Sequence, residues 1–139
     1  TARDGSRLRS EFLHNMPSLN RLVTRVRGVA SKGSVKGLVG RRIMIRHEHA
    51  ALNTLLQGAG AIACKQWSIC MHEYIQRNKL DARLVNTIHD ELQYEVHNDD
   101  VEAMLIGADK TMQEAGKLLG VRLTLNADAK VGKTWADTH

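Results

Sequence analysis

Apolar residues recur every three or four positions in three stretches of the chain, a spacing that predicts amphipathic helices. The three stretches cover residues 12–30, 50–76 and 101–118. Pro17 lies near the start of the first, where proline is tolerated, and Gly33 follows its end. Asp99 and Asp100 suit the N-cap of the third helix, and Gly120 suits its C-terminal end.

Three other segments have the composition or alternation of β-strands. Residues 34–46 carry two short β-branched runs around glycines and predict a hairpin. Residues 83–96 predict a second antiparallel hairpin whose bend holds Asp90 and Glu91, and residues 121–127 predict a final strand. Simple alternation places Leu84, Asn86 and Ile88 on one face of the hairpin, and Val85 and Thr87 on the other. The pattern as a whole predicts an α+β fold, with an antiparallel hairpin or sheet packed against long α-helices.

Composition narrows the class of protein. The chain has 139 residues, of which 42% are hydrophobic and 25% charged, as in an ordinary globular domain. No apolar run approaches the roughly 20 residues of a membrane span, so we expect no membrane association. Two cysteines do not make a disulfide scaffold, which favours a reducing compartment and argues against secretion. Because the sequence opens without Met, in the middle of a pattern, we expect a fragment of a longer protein.

Charge is divided unevenly along the chain. Residues 1–50 hold 11 Lys or Arg against three Asp or Glu, whereas residues 51–139 hold nine against 12. A basic N-terminal part suggests a polyanionic partner such as nucleic acid, although a solvated basic helix face would look the same.

The acidic bend is the strongest chemical signal. Asp90 and Glu91 lie side by side between two apolar strands, where their charges repel each other. A bound cation would relieve this repulsion, and Mg²⁺ prefers carboxylate oxygens. An ordinary acidic turn is the alternative explanation.

Several motifs together resemble the phage branch of the family A DNA polymerases, the DNA polymerase I family. IHDELQYEV resembles the C-terminal catalytic motif of that family, and HAALNTLLQGAGAIACKQW, residues 49–67, resembles its long palm helix. KGLVGRRIMIR resembles the hairpin before that helix, LRSEFLHNMPSLNRLVTRV the late fingers, and WADTH the C-terminal end. The resemblance covers essentially the whole chain. It implies that residues 1–47 form the end of the fingers with a connecting hairpin. Residues 48–139 would form the C-terminal part of the palm, and both would belong to one incomplete polymerase domain.

The resemblance also implies roles for individual residues. Asp90 would bind both catalytic Mg²⁺ ions, Glu91 would support the metals and the primer end, and His89 would lie near the primer terminus. Asn53 and Gln57 on the palm helix would face the minor groove of the duplex, and His49 would also contact DNA. His139 corresponds to the terminal His of the family, which lies near the active site, and is a further predicted DNA contact. Asn53 and Gln57 are four apart and share a helical face, but simple solvent exposure would also explain them.

What the chain lacks relative to the family pattern is also informative. In the family, a second metal-binding Asp lies on an earlier palm strand, and a fingers helix binds the nucleotide; neither has a counterpart here. Asp4-Gly5-Ser6 only imitates the motif of that earlier strand. We therefore expect the fragment alone to be inactive and its two-metal site to be completed by an Asp outside this chain. The implied partners are primer–template DNA, deoxynucleoside triphosphates, the upstream half of the polymerase and a candidate processivity factor.

Two rival sites have weaker support. His47, His49, Cys64, Cys70 and His72 lack zinc-ligand spacing, so core cysteines and surface histidines explain them better. Residues 130–134 end in Gly-Lys-Thr but lack the upstream glycine and strand–loop–helix context of a phosphate-binding loop.

The implied function is template-directed DNA synthesis in the cytoplasm of a bacterium or a phage-infected bacterial cell, including viral DNA replication. The alternative is a non-catalytic nucleic-acid-binding module with a palm-like core. A metal-dependent nuclease would need the same acidic turn but not the minor-groove pair.

Overall fold

The protein is seen in a computed structural model that describes residues 1–138, with the side chain of Ala2 left aside. His139, one of the predicted DNA contacts, lies outside the described residues. The helices are α1 (Ala2–Asn15), α2 (Pro17–Ala30), α3 (Ala51–Asn78) and α4 (Val101–Leu118). The strands are β1 (Ser34–Lys36), β2 (Arg42–Met44), β3 (Ala82–Ile88) and β4 (Glu91–Val96). Single 3₁₀ turns cover Glu48–Ala50, Asn98–Asp100 and Trp135–Asp137.

The described residues therefore form an α+β fold, as the sequence pattern predicted. Strands β1 and β2 pair as one antiparallel hairpin, and β3 and β4 as another. The residues group into two compact units, Thr1–Ala59 and the part from Gly60 onward, and the division falls inside α3. The functional boundary expected between residues 47 and 48 stays a prediction.

The first predicted helix is in fact two helices. Met16 has φ −125° and ψ 73°, which ends α1, and Pro17 begins α2. A proline clashes with the helical conformation of the residue before it, so the apolar stripe continues across a break. Val23, Val26 and Ala30 on α2 are buried, whereas Phe12 on α1 is exposed.

The N-terminal unit has a small core. Val26, Ala30, Val35 and Ala51 are buried together, and side chains of β2 and early α3 pack around them. Gly58 is one of two glycines that interrupt α3, and a Cβ there would lie 3.2 Å from Cδ1 of Ile43. The Ile43 side chain therefore approaches α3 closely at this glycine.

The C-terminal unit is built around the second half of α3, the β3–β4 hairpin and α4. Met71, Ile75, Met104 and Ala108 form its buried centre. Partly buried side chains pack against this centre: Trp67, Leu80, Ala82, Leu92, Tyr94, Val96 and Ala127.

Within this unit, two aromatic side chains of α3 bind that helix to α4. Trp67 Nε1 donates hydrogen bonds to the Ala108 carbonyl at 3.1 Å and to Thr111 Oγ1 at 3.0 Å. The Tyr74 hydroxyl donates to the Ala103 carbonyl at 3.2 Å. Tyr74 also fills the space beside Gly107, where an added Cβ would clash with its ring. Close helix packing thus explains the glycine at position 107 of α4.

The prediction of a final strand at 121–127 is wrong. No strand forms there among the described residues, because the segment binds back onto α4. The Val121 amide donates to the Gly116 carbonyl at 2.9 Å, and the Ala127 amide donates to Asp109 Oδ1 at 3.2 Å. Its hydrogen bonds are therefore made in part to a helix rather than to a sheet.

Candidate active site on the β3–β4 hairpin

The acidic bend lies where the sequence placed it. Ile88 pairs with Glu91 in the antiparallel register, so the connection consists of two residues, His89 and Asp90. His89 has φ +53°, a left-handed conformation that few non-glycine residues adopt but that histidine tolerates better than most. The predicted hairpin over 83–96, with its bend at the acidic pair, is confirmed.

A β-bulge changes the faces of this hairpin. Leu84 pairs with Tyr94, but Asn86 rather than Val85 pairs with Gln93, so Val85 is the extra residue. Directly paired residues share a face, so Leu84 lies on the Tyr94 face and Asn86 on the Gln93 face. The prediction that Leu84 and Asn86 share one face is therefore wrong, because simple alternation does not allow for an extra residue.

The bulge also sets the geometry of the bend. Without it, the register from Leu84 and Tyr94 would pair Thr87 with Glu91 and leave three residues in the connection. With it, Asp90 occupies a two-residue turn directly before Glu91. Asp90 and His89 are exposed, and Glu91 is half-buried as the first residue of β4.

Hydrogen bonds and burial define the surroundings of the acidic pair. Gln93 Nε2 donates to Glu91 Oε1 at 2.8 Å, a contact that sequence reasoning missed. Burial raises the pKa of the Cys64 thiol, and the charge of Asp90 raises it further. Burial, with a smaller effect of Cys64, raises the pKa of Tyr94 to about 12. The interior beside this bend therefore favours neutral groups.

The metal-binding capacity of the bend is partial. The carboxylates of Asp90 and Glu91 are the hard oxygen donors that Mg²⁺ takes, and Mg²⁺ is commonly held by one or two carboxylates plus substrate phosphates and water. In the part of the chain that the structure describes, no group of three His, Cys, Asp or Glu side chains could hold a metal ion. The donor type of the two carboxylates fits Mg²⁺.

Three of the predicted DNA contacts, Asn53, Gln57 and His49, belong to the N-terminal unit. Asn53 and Gln57 are exposed one turn apart on α3. His49 precedes that helix in the 3₁₀ turn Glu48–Ala50, so helical spacing does not place it beside Gln57. Its ring stacks on that of His47, with centroids 5.5 Å apart and planes 20° apart.

The rival sites gain no support from the structure. Cys64 and Cys70 are buried, and His72 is exposed, as expected of core cysteines and a surface histidine. Thr134 begins only a short 3₁₀ turn, where its backbone amide and hydroxyl both donate to Asp137. Asp4 of the Asp-Gly-Ser sequence lies in the first turn of α1, and its hydrogen bond with Thr1 lowers the pKa of its carboxyl.

Comparison with known proteins identifies the family. The profile of DNA polymerase family A matches residues 1–137. The chain belongs to DNA polymerase family A. It is 32% identical to the DNA-directed DNA polymerase of Escherichia phage Phieco32 over 145 residues, covering 99% of this chain and 24% of that protein. It is 31% identical to the DNA-directed DNA polymerase of Escherichia phage T7, covering 97% of this chain and 22% of that protein.

The family fold is also seen in a solved structure. The POL domain of Pol1 from M. smegmatis, in complex with DNA primer-template and dNTP, matches with a TM-score of 0.73 and 22% sequence identity. The match covers 83% of this chain and 23% of that one. This family A chain therefore spans about a quarter of the length of these two phage relatives, and its fold is that of part of a polymerase domain.

No helix within residues 1–138 combines the length and apolar character needed to cross a membrane.

Proposed function

We propose that this chain is the C-terminal part of the catalytic domain of a DNA-directed DNA polymerase, acting with an upstream half. The observation that carries the proposal is the two-residue turn that presents Asp90 next to Glu91 in a member of family A. In the proposed reaction, the 3′ hydroxyl of a primer attacks the α-phosphate of a deoxynucleoside triphosphate, and pyrophosphate leaves. The phage and bacterial relatives suggest DNA replication in a bacterial cell or a phage-infected one.

Asp90 and Glu91 would hold Mg²⁺, with Asp90 shared between two ions and an Asp of the upstream half completing the site. When bound, the ions stabilise negative charge on the attacking and leaving oxygens. The left-handed backbone at His89 orients the turn, and its exposed ring would lie near the primer terminus. The protein contributes positioning and electrostatic stabilisation, since phosphoryl transfer needs little other chemistry from side chains.

Primer–template DNA would lie against the N-terminal unit. The exposed amides of Asn53 and Gln57 can donate to minor-groove acceptors, which are present on A·T and G·C pairs alike. Such a contact would test the shape of a base pair rather than its sequence. We assign further duplex contacts to His49 and His139, and backbone attraction to the 11 Lys and Arg of residues 1–50. A processivity factor remains a candidate partner of the complete enzyme.

The test is reconstitution. We expect the purified 139-residue chain to extend no primer with Mg²⁺ and all four deoxynucleoside triphosphates, because the second metal-binding Asp and the nucleotide-binding fingers helix of the family pattern have no counterpart in its sequence. We expect synthesis when the chain is joined to the upstream half of a family A polymerase, and loss of that synthesis in Asp90→Ala. Glu95→Ala is the matched control, because Glu95 is an exposed carboxylate further along the same strand.

Three outcomes are distinct. Synthesis by the isolated chain would show that the completing Asp is not needed from outside. A joined enzyme that keeps normal synthesis with Asp90→Ala would remove Asp90 from the site. Primer–template binding without any synthesis in the joined enzyme would favour the non-catalytic nucleic-acid-binding module.

A further inference from the structure

The alternation of β4 places Glu91 and Gln93 on one face of the hairpin. Leu92 and Tyr94 on the opposite face pack against the core of the C-terminal unit. This packing anchors the strand, so the backbone that carries Glu91 and Gln93 is fixed. Gln93 Nε2 then lies 2.8 Å from Glu91 Oε1 in a part-buried hydrogen bond.

The strand opposite Gln93 is shaped by the bulge. Because Val85 is the extra residue, the polar Asn86 rather than an apolar side chain lies across from Gln93. Asn86 Oδ1 accepts from the Thr87 amide at 2.9 Å, which binds that oxygen to its own strand. The hairpin thus has polar side chains on both strands of the face that carries Glu91.

We propose that Gln93 is a positioning residue that holds the Glu91 carboxylate in the orientation needed for the divalent metal and the primer end. The inference rests on the proposed function. A hydrogen bond to an ionised carboxylate is stronger than one between neutral groups. The hydrogen bond restricts the rotamers of Glu91 when the protein folds. Metal binding then costs less side-chain entropy, so the carboxylate binds the metal more tightly.

The chain offers a matched control for this hydrogen bond. On α4, Gln113 Nε2 donates to Asp109 Oδ2 at 2.7 Å, also in a part-buried setting. Asp109 uses its other oxygen to bind the Ala127 amide, so that amide–carboxylate pair serves the segment after α4. Replacing Gln93 removes an amide–carboxylate hydrogen bond at the proposed metal site. Replacing Gln113 removes the same kind of hydrogen bond at a place where we propose no metal.

The experiment uses the joined polymerase with primer–template. Mg²⁺ affinity is measured by calorimetry in a ternary complex with a dideoxy-terminated primer, where no chemistry occurs, and Mg²⁺ dependence is measured separately in single-nucleotide incorporation. We expect Gln93→Met to weaken Mg²⁺ binding about 10- to 100-fold, as is typical for partners of metal ligands. The Mg²⁺ concentration for half-maximal incorporation should rise by a similar factor. Gln113→Met should leave both values unchanged.

The outcomes separate this inference from the proposed function. Mg²⁺ binding within twofold of wild type in Gln93→Met, in an enzyme that Asp90→Ala inactivates, overturns the role of Gln93 alone. A wild-type enzyme that incorporates no nucleotide, and binds Mg²⁺ no better than Asp90→Ala, overturns the proposed function itself. If Gln93→Met does not fold, Gln93→Val decides by the same two measurements, because its side chain suits a strand and offers neither a hydrogen-bond donor nor a metal ligand.

Discussion

The two units of the chain are stabilised in different ways. The C-terminal unit is internally braced, with Trp67 and Tyr74 hydrogen-bonded to carbonyl groups of α4. The buried centre of the N-terminal unit consists of valine and alanine side chains, and this unit carries most of the basic residues. Its cross-strand side-chain contact joins Arg42 Nε to Ser34 Oγ at 2.9 Å on an exposed surface, where it adds little stability.

This contrast suggests a division of labour. A rigid support suits the acidic turn, because small displacements of a reactive group can cost a large factor in rate. A basic surface with exposed amides suits a ligand that supplies much of the binding contact itself. We therefore expect chemistry to depend on the C-terminal unit and DNA binding to depend on the N-terminal one.

The largest effect is expected on the incorporation rate, when a side chain of the C-terminal unit is replaced rather than one of the N-terminal unit. In the joined polymerase, Asp90→Ala should lower the rate of single-nucleotide incorporation at least about 1000-fold, since metal-assisted charge stabilisation is worth several kcal/mol. Gln57→Ala should lower it less, because one lost hydrogen bond costs about 1–3 kcal/mol. Glu91→Ala should fall between them. Near-normal rates with Asp90→Ala and none with Gln57→Ala would reverse the division of labour.

The packing of α4 gives the next largest effect. Gly107→Ala would place a methyl group against the Tyr74 ring and should displace the Tyr74 hydroxyl from the Ala103 carbonyl. We expect the free energy of unfolding to fall by about 1–3 kcal/mol, the usual cost of overpacking. Urea titration followed by tryptophan fluorescence measures this. Unchanged stability would mean that the two helices do not need this close approach.

The pH dependence of stability should report the burial of Tyr94. Its pKa is raised from 10.0 to about 12, mainly by burial, so the folded state favours the neutral phenol. This stabilisation is fully present below pH 10 and is lost as the pH rises towards 12. Wild type should lose about 1–2 kcal/mol more than Tyr94→Phe between pH 9 and 12, allowing for partial solvent screening.

Urea titrations of both proteins across this pH range provide the measurement for Tyr94. The difference between them cancels the titration of lysines, which both share. Parallel stability curves for the two proteins would show that the phenol is as hydrated in the folded state as in the unfolded one.

The smallest effect has the opposite sign and belongs to the N-terminal unit. Gly28 lies inside α2, and an added Cβ would meet nothing within 4 Å. Gly28→Ala should therefore raise the free energy of unfolding by about 0.5–1 kcal/mol, the difference in helix propensity. Thermal unfolding by circular dichroism checks this. A loss of stability instead would indicate that α2 is more tightly packed at that position than the structure shows.

Local sequence rules predicted much of this fold. Apolar periodicity found α3 and α4, and alternation around an acidic pair found the β3–β4 hairpin. The failures have a common cause, which is a contact or strain outside the pattern. Pro17 divides an unbroken stripe, and Val85 interrupts an alternation. Residues 121–127 have strand composition, but their backbone binds groups of α4 that no local pattern indicates.

The candidate site was predicted unequally. The acidic turn was found because charged residues between apolar strands stand out, and the family motif then assigned roles to them. The contact between Gln93 and Glu91 was missed, although a spacing of two on a strand puts both on one face. That signal is weak by itself, since any strand offers many such pairs, and only the hydrogen-bond geometry distinguishes this one.

The extra residue in β3 also has an evolutionary consequence. Removing Val85 would leave Leu84 opposite Tyr94 and Asn86 opposite Gln93, with the two-residue turn unchanged. Removal of a residue between Asn86 and Val96 would change the cross-strand pairing or the turn that holds Asp90. Val85 is therefore the place where this hairpin can shorten during descent without moving its acidic residues, and length variation among relatives should concentrate there.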